Sequence, residues 1–112
     1  MGYELHVTRK EFWADDEGPE ISLEEWAAYV KTDPAITLDR ENPGDENYIF
    51  QFGQSSWPLW WHKRGEIYTK NPEPAVIAKL VQIAAKLDAR VLGDDDEIYG
   101  RDPTDPTRPV SL

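Results

Sequence analysis

The residue types best suited to binding or chemistry gather at positions 55–65, SSWPLWWHKRG, which hold three tryptophans, a histidine and two basic side chains around one proline. Successive side chains of a strand point to opposite faces of the sheet. Trp57 and Trp61 therefore share one face with the leucine between them, whereas Trp60 and His62 point to the other. We expect the first pair to pack in the core, against the apolar stripes of the helices.

The face that carries Trp60 and His62 has two possible roles. If the helices cover only the opposite face, Trp60, His62 and the nearby Tyr68 are displayed to solvent. Exposed aromatic residues beside a cation are common anchors of protein–protein interfaces. If a loop or the C-terminal segment folds over them, they form a second, smaller core. The sequence leaves both interpretations open, and it makes these three residues candidates for binding.

The two histidines are the candidates for acid–base chemistry. His6 shares a strand face with Glu4, but the two stand two residues apart along the strand and do not directly form a relay. His62 approaches His6 only if their strands are neighbours. An alternative hypothesis is a small-ligand pocket or a small enzyme site lined by His6, His62, Trp60 and Tyr68. No local motif supplies the geometry that catalysis requires, so we assign no catalytic residue.

Metal and cofactor motifs are missing from the sequence. The acidic run Asp94–Glu97 offers hard oxygen ligands, but it lacks the spacing and the glycine of an EF-hand loop. Two histidines without cysteine or HExxH spacing do not predict a zinc site. Glycine-rich phosphate loops are absent as well. The sequence therefore predicts no metal site and no cofactor.

The net charge of the chain limits the classes of partner that it is expected to bind. The 112 residues carry a formal net charge of −10, which disfavours direct binding to nucleic acid or to acidic membranes. Residues 1–34 hold nine acids against three bases. Asp15 and Asp16 lie in this acidic part, and we expect them to steer a basic protein partner toward the chain. Nothing in the sequence indicates an oligomeric state.

The cellular location is expected to be the cytoplasm. The chain has no cysteine, which is compatible with a reducing compartment. Its N-terminal residues lack the apolar region of a signal peptide, and no run approaches the length of a membrane span.

The patterning predicts the element order β-α-β-β-β-β-α-β. Residues 3–8 alternate as a half-buried strand. Ser22 and Glu25 form a capping box at the start of the first helix. Residues 48–70 read as an antiparallel meander, and we expect Asn71 to cap the second helix with Pro72 at its first position.

These elements predict an α+β fold with a single antiparallel sheet of about five to six strands and two helices packed on one face. Residues 1–100 would form one domain. Residues 101–112 are polar and rich in proline, so we expect a flexible C-terminal tail.

Three segments resemble a family of small, poorly characterised bacterial cytosolic proteins. They are YELHVTRK at the start, EISLEEW in the centre and NPEPAVIAKLVQIAAKLDARVLGDDDEIYG near the end. The resemblance implies an accessory or immunity role beside secreted toxins, and it implies no catalytic residues.

The favoured function is a noncatalytic acidic protein-binding module, with an immunity or accessory role implied by the resemblance. The small-molecule-binding protein or small enzyme with a His/aromatic pocket is one alternative. A structural or regulatory subunit is the other.

Overall fold

The computed structural model describes residues 3–112, which form one antiparallel sheet of eight strands with two helices. The strands are β1 (Glu4–Thr8), β2 (Ile36–Leu38), β3 (Asn47–Phe52), β4 (Ser55–His62), β5 (Glu66–Lys70), β6 (Arg90–Gly93), β7 (Glu97–Tyr99) and β8 (Val110–Ser111). The helices are α1 (Leu23–Val30) and α2 (Pro74–Lys86). The predicted α+β class with a single antiparallel sheet is confirmed.

The predicted count of five to six strands is wrong. The first six strands follow the predicted order, and β7 and β8 are additional. They contain three and two residues, which is too short for the alternation over four to eight residues that marks a strand in a sequence. β8 lies within 101–112 and pairs with β7. The flexibility of that segment stays a prediction.

The N-terminal strand lies near the centre of the sheet. The strand order is β2-β3-β4-β5-β1-β6-β7-β8, so β1 pairs with β5 on one side and with β6 on the other. This position gives each side chain of β1 neighbours from two strands. It also brings residues near both ends of the sequence onto one part of the sheet.

The main core lies on one face of the sheet, where both helices pack. Leu5, Ile67 and Leu59 belong to the same buried cluster as Trp26 of α1 and Leu80 of α2. Each of these five side chains is almost completely inaccessible to solvent. Burying apolar area of this kind is the main favourable contribution to folding.

The phase of β4 is as predicted. Trp57 and Trp61 pack against the main core cluster, although both stay partly accessible. The indole of Trp61 also donates a hydrogen bond from Nε1 to the Ile21 carbonyl oxygen at 2.9 Å. Trp60 and His62 therefore lie on the face turned away from the helices.

The start of α1 is as predicted, and the start of α2 is not. Ser22 caps α1, with its side chain accepting from the Glu25 N–H and the Glu25 carboxylate accepting from the Ser22 N–H. The second helix begins later than expected, at Pro74. Asn71 has a positive φ of 47° and its side chain instead accepts from the Tyr3 N–H. Neither helix of residues 3–112 is long and apolar enough to cross a membrane.

A buried ion pair connects the two helical regions. Asp33, which follows α1, lies 2.6 Å from the Lys79 ammonium of α2 and also accepts a hydrogen bond from the Tyr29 hydroxyl. Burial by itself would raise the pKa of Asp33, but the bonds from Lys79 and Tyr29 outweigh it and hold this pKa below its usual range. The Asp33 carboxylate therefore stabilises the folded state in its charged form.

The Asp33→Asn variant is expected to lose about 2 kcal/mol of unfolding free energy at pH 7, because two hydrogen bonds to a charged group are lost. The folded-state pKa lies below the unfolded one, so the contribution is complete above the unfolded pKa of about 3.9 and disappears as pH falls through the lower folded pKa. Urea unfolding of both proteins from pH 7 to about pH 2 checks this. A difference that stays constant over this range would contradict it, and Asp16→Asn, at an exposed position, is the control.

Candidate functional site

The predicted binding residues Trp60, His62 and Tyr68 lie together on the sheet face turned away from the helices. Tyr68 is opposite Trp60 on β4 and opposite His6 on β1. Its ring centroid lies 5.2 Å from that of Trp60 and 6.1 Å from that of His62. All three of these side chains are partly exposed. We call Trp60, His62 and Tyr68 the aromatic face.

The aromatic face is uncharged near neutral pH. Burial lowers the pKa of His62, and the nearby Arg64 guanidinium lowers it further. Burial raises the pKa of Tyr68, and the Glu4 carboxylate adds to that effect. Both rings are therefore neutral at pH 7, since their usual pKa values of about 6.5 and about 10 are moved away from it. The face offers apolar contact area with polar edges.

Carboxylates stand close to the aromatic face. Trp60 lines a shallow cleft together with Asn47, Pro58 and the acidic residues Asp39 and Glu41. Glu41 is exposed, whereas Asp39 is almost buried and is hydrogen-bonded to Asn42. The cleft therefore contains the indole ring of Trp60 and the exposed carboxylate of Glu41.

His6 belongs to a different environment from the aromatic face. It is fully buried, and the indole of Trp13 stacks on its ring with 3.9 Å between centroids and 4° between planes. Trp13 comes from the loop between β1 and α1. His6 and His62 lie on β1 and β4, which are separated by β5. The structure thus places the two histidines on non-adjacent strands, with only His62 partly exposed.

Four side chains from three parts of the chain lie close to one another. They are Glu4 and His6 of β1, Glu66 of β5, and Asp94 of the turn after β6, and we call them the His6 cluster. His6 Nδ1 lies 2.5 Å from Glu66 Oε2, and His6 Nε2 lies 3.0 Å from Asp94 Oδ1. Glu4 Oε1 is 3.8 Å from the same Nε2.

Glu66 is the buried anion of the His6 cluster. It is 1% exposed, and Arg64 donates to both of its oxygens at 3.2 and 3.1 Å. Burial would raise the pKa of Glu66, but the hydrogen bonds from His6 and Arg64 outweigh burial and lower it. Glu66 is therefore ionised and accepts, so the hydrogen on His6 Nδ1 points to it.

Asp94 and Glu4 form the accessible side of the His6 cluster. Their side chains are 29% and 26% exposed, whereas that of His6 is 0% exposed. Asp94 Oδ2 accepts the Glu4 backbone N–H at 2.8 Å, which turns Oδ1 toward His6. One backbone contact thus fixes the direction of the carboxylate.

The loop that covers His6 is anchored at several points. The ammonium of Lys10 donates to the Asp15 carbonyl oxygen at 2.9 Å, and Arg90 donates to the Lys10 carbonyl oxygen. Gly65 has a φ of +85°, and it lies so close to Glu20 that no side chain fits there. The loop therefore lies against the β4–β5 turn as well as over β1.

Asp15 and Asp16 lie in this same loop, and both are exposed. The Asp15 side chain accepts the Phe12 N–H at 3.3 Å. These two predicted residues therefore lie in the loop over β1 and not among the residues of the aromatic face.

Sequence reasoning missed Glu66 and Asp94 as members of the His6 cluster, and it missed Trp13 as the residue that stacks on His6. Glu66 shares a strand phase with Tyr68, which is a usable signal for placing it on the same face. Asp94 was interpreted only as part of an acidic turn. The pairing of β1 with both β5 and β6 is the information that brings these residues together.

A wide groove lies on the helix side of the sheet, between α1 and α2. It is lined in part by Tyr29, Asp33, Lys79 and Gln82. Of its charged groups, Asp33 and Lys79 form the ion pair described above. The groove therefore contains a structural interaction between helices and not a convergent set of reactive groups.

No family model, curated protein or solved structure matches this chain. The resemblance to small bacterial proteins stays a prediction.

Proposed function

We propose that this protein is a noncatalytic binding module whose contact surface for a basic protein is the aromatic face. The observation that carries the proposal is the continuous contact among Trp60, Tyr68 and His62 on the sheet face turned away from both helices. Aromatic side chains that are partly exposed and held by their neighbours make strong interface anchors, because little conformational entropy is lost on binding.

Exposed negative charge on the chain indicates the class of partner. Five carboxylates are exposed in the loop that covers β1: Glu11, Asp15, Asp16, Glu17 and Glu20. Glu41 lines the same cleft as Trp60. With the net charge of −10, these groups favour a basic partner and accelerate its association. The resemblance noted from the sequence supports the same class, an accessory or immunity protein.

The geometry favours a surface over a pocket built on both histidines. His6 is buried beneath Trp13, and β5 separates its strand from that of His62. A small ligand that needs both imidazoles would have to displace Trp13. A surface anchored on Trp60 and Tyr68 requires no such rearrangement.

The test uses the full chain as bait in a lysate of its source organism, followed by affinity measurements on the captured protein. Trp60→Ala is expected to weaken binding by about thirtyfold, the effect of a hot-spot residue of about 2 kcal/mol, without unfolding the chain. Reversing the charge at Asp15 and Asp16 is expected to slow association and to reduce its dependence on salt.

The matched control is Leu38→Ala, because Leu38 is a 55% exposed apolar residue on β2, away from the aromatic face. It is expected to leave binding unchanged. Unchanged binding after both Trp60→Ala and the Asp15/Asp16 reversal would rule out this surface. An acidic partner would rule out the electrostatic part of the proposal.

A further inference from the structure

We propose that Glu4, His6 and Asp94 form a binding site for one divalent transition-metal ion of the Zn²⁺ class, with Glu66 positioning the imidazole. This inference goes beyond the proposed function, since it concerns the His6 cluster and not the aromatic face. It also departs from the expectation, drawn from sequence motifs, that the chain has no metal site.

The first argument is the geometry of the donor atoms. One oxygen of Glu4, one oxygen of Asp94 and Nε2 of His6 all lie within 4.8 Å of one another. A tetrahedral Zn²⁺ with bonds of about 2.0–2.1 Å places its donors about 3.4 Å apart. The observed separations from Nε2 are 3.0 Å to Asp94 and 3.8 Å to Glu4. These two values lie on either side of the ideal one, so the donors already surround a position that one ion could occupy.

The second argument is the orientation of His6. Its Nδ1 lies 2.5 Å from Glu66 Oε2, which leaves Nε2 as the ring nitrogen directed toward Asp94 and Glu4. A metal-bound histidine in proteins commonly donates its other ring N–H to a carboxylate in this way, which fixes the tautomer and makes the ligand nitrogen more basic. Glu66 is in turn held by Arg64. The supporting interactions of a metal ligand are therefore in place.

The third argument is charge. Arg64 pairs with Glu66, which leaves the carboxylates of Glu4 and Asp94 facing Nε2 of His6. Among residues 3–112, the ion pairs of Glu4 and Asp94 are with His6 alone. A proton on Nε2 balances one of the two negative charges, and a divalent cation balances both. The cation is thus the better electrostatic match to the cluster.

The ligand set specifies the class of ion. One imidazole and two carboxylates suit Zn²⁺ and neighbouring first-row ions, whereas Ca²⁺ and Mg²⁺ prefer sites made of oxygen alone. The partial exposure of Glu4 and Asp94 gives the ion a path from solvent and leaves a position for water. The indole of Trp13 stacks on one face of the imidazole ring of His6 and covers that face.

The test titrates Zn²⁺ alone into the full chain by calorimetry. We expect one ion per chain, with Asp94→Asn and Glu4→Gln each weakening binding by about tenfold or more, and Ca²⁺ binding weaker than Zn²⁺ by a similar factor. The matched control is Asp95→Asn, an exposed carboxylate of the same turn, which is expected to change the affinity by less than about twofold.

Three results would overturn the site: no Zn²⁺ binding, an equal loss in Asp94→Asn and Asp95→Asn, or equal affinity for Ca²⁺. A measurement on the wild type tests the site even if the variants fail to fold. In a ¹⁵N NMR experiment on the histidine side chains, Zn²⁺ is expected to shift Nε2 of His6 strongly and Nδ1 weakly. The reverse pattern, or a shift only at His62, would also exclude the site. None of these readouts depends on the protein partner.

Discussion

The Glu66→Gln variant is expected to lose about 3 kcal/mol of unfolding free energy. Glutamine keeps the shape of the side chain but removes the charge that His6 and Arg64 both contact. Breaking a buried ion pair on one side costs about 3–5 kcal/mol, because the other charged group loses its partner inside the protein. We expect a loss at the lower end of this range, since the Arg64 side chain is 34% exposed and can turn toward water.

The measurement is guanidinium unfolding followed by far-ultraviolet circular dichroism, with the slope against denaturant unchanged between the two proteins. Glu17→Gln makes the same chemical change at an exposed position of the loop and is expected to stay within about 0.5 kcal/mol of the wild type. If Glu66→Gln also stays within about 0.5 kcal/mol of the wild type, the charge of Glu66 makes no net contribution to the free energy of unfolding.

The Trp26→Ala variant is expected to have the largest effect, a loss of about 4 kcal/mol. Trp26 is 0% exposed in the main core, where its ring meets Tyr48 edge-on at 5.5 Å and stacks near Tyr29 at 5.8 Å. Replacement by alanine removes the transfer free energy of the indole and leaves a cavity that the sheet and helices only partly fill.

Trp60→Ala makes the same chemical change on the opposite face, and we expect it to cost only about 1 kcal/mol. Trp60 is partly exposed, and its main aromatic contact is Tyr68. Parallel denaturant titrations of both variants measure the difference. Equal losses would mean that both faces of the sheet are structural cores and that Trp60 is not available as a binding anchor.

Much of the fold was predictable because its strongest signals are local. The capping box at Ser22 and Glu25 requires only a spacing of three residues, and the alternation across Trp57 to His62 assigns the two faces of β4 directly. The two additional strands were not predictable, since each is too short for a periodicity and is defined by its pairing partner.

One local signal led to a wrong expectation. Asn71 followed by proline resembles a helix start, but Asn71 takes a positive φ and binds Tyr3, so α2 starts at the next proline.

The two candidate sites also differ in how far the sequence predicts them. The residues of the aromatic face follow from strand phase, because all three lie on two consecutive strands joined by a short turn. The His6 cluster depends on long-range pairing, because β1 lies between β5 and β6. Glu4 and Asp94 meet only in that arrangement, and no spacing in the sequence indicates it.

The central position of β1 has a consequence for how the chain assembles. Without β1, the sheet consists of two separate parts, β2 to β5 and β6 to β8, with no strand pairing between them. Each part can form from hairpins, whereas β1 must close long loops to pair residue 4 with residue 70 and residue 5 with residue 93. Loop closure of that kind is slow because its entropy cost precedes any contact. The contacts of His6 with Glu66 and Asp94 join these two halves, so an ion bound there would act as a ligand of the completed sheet alone.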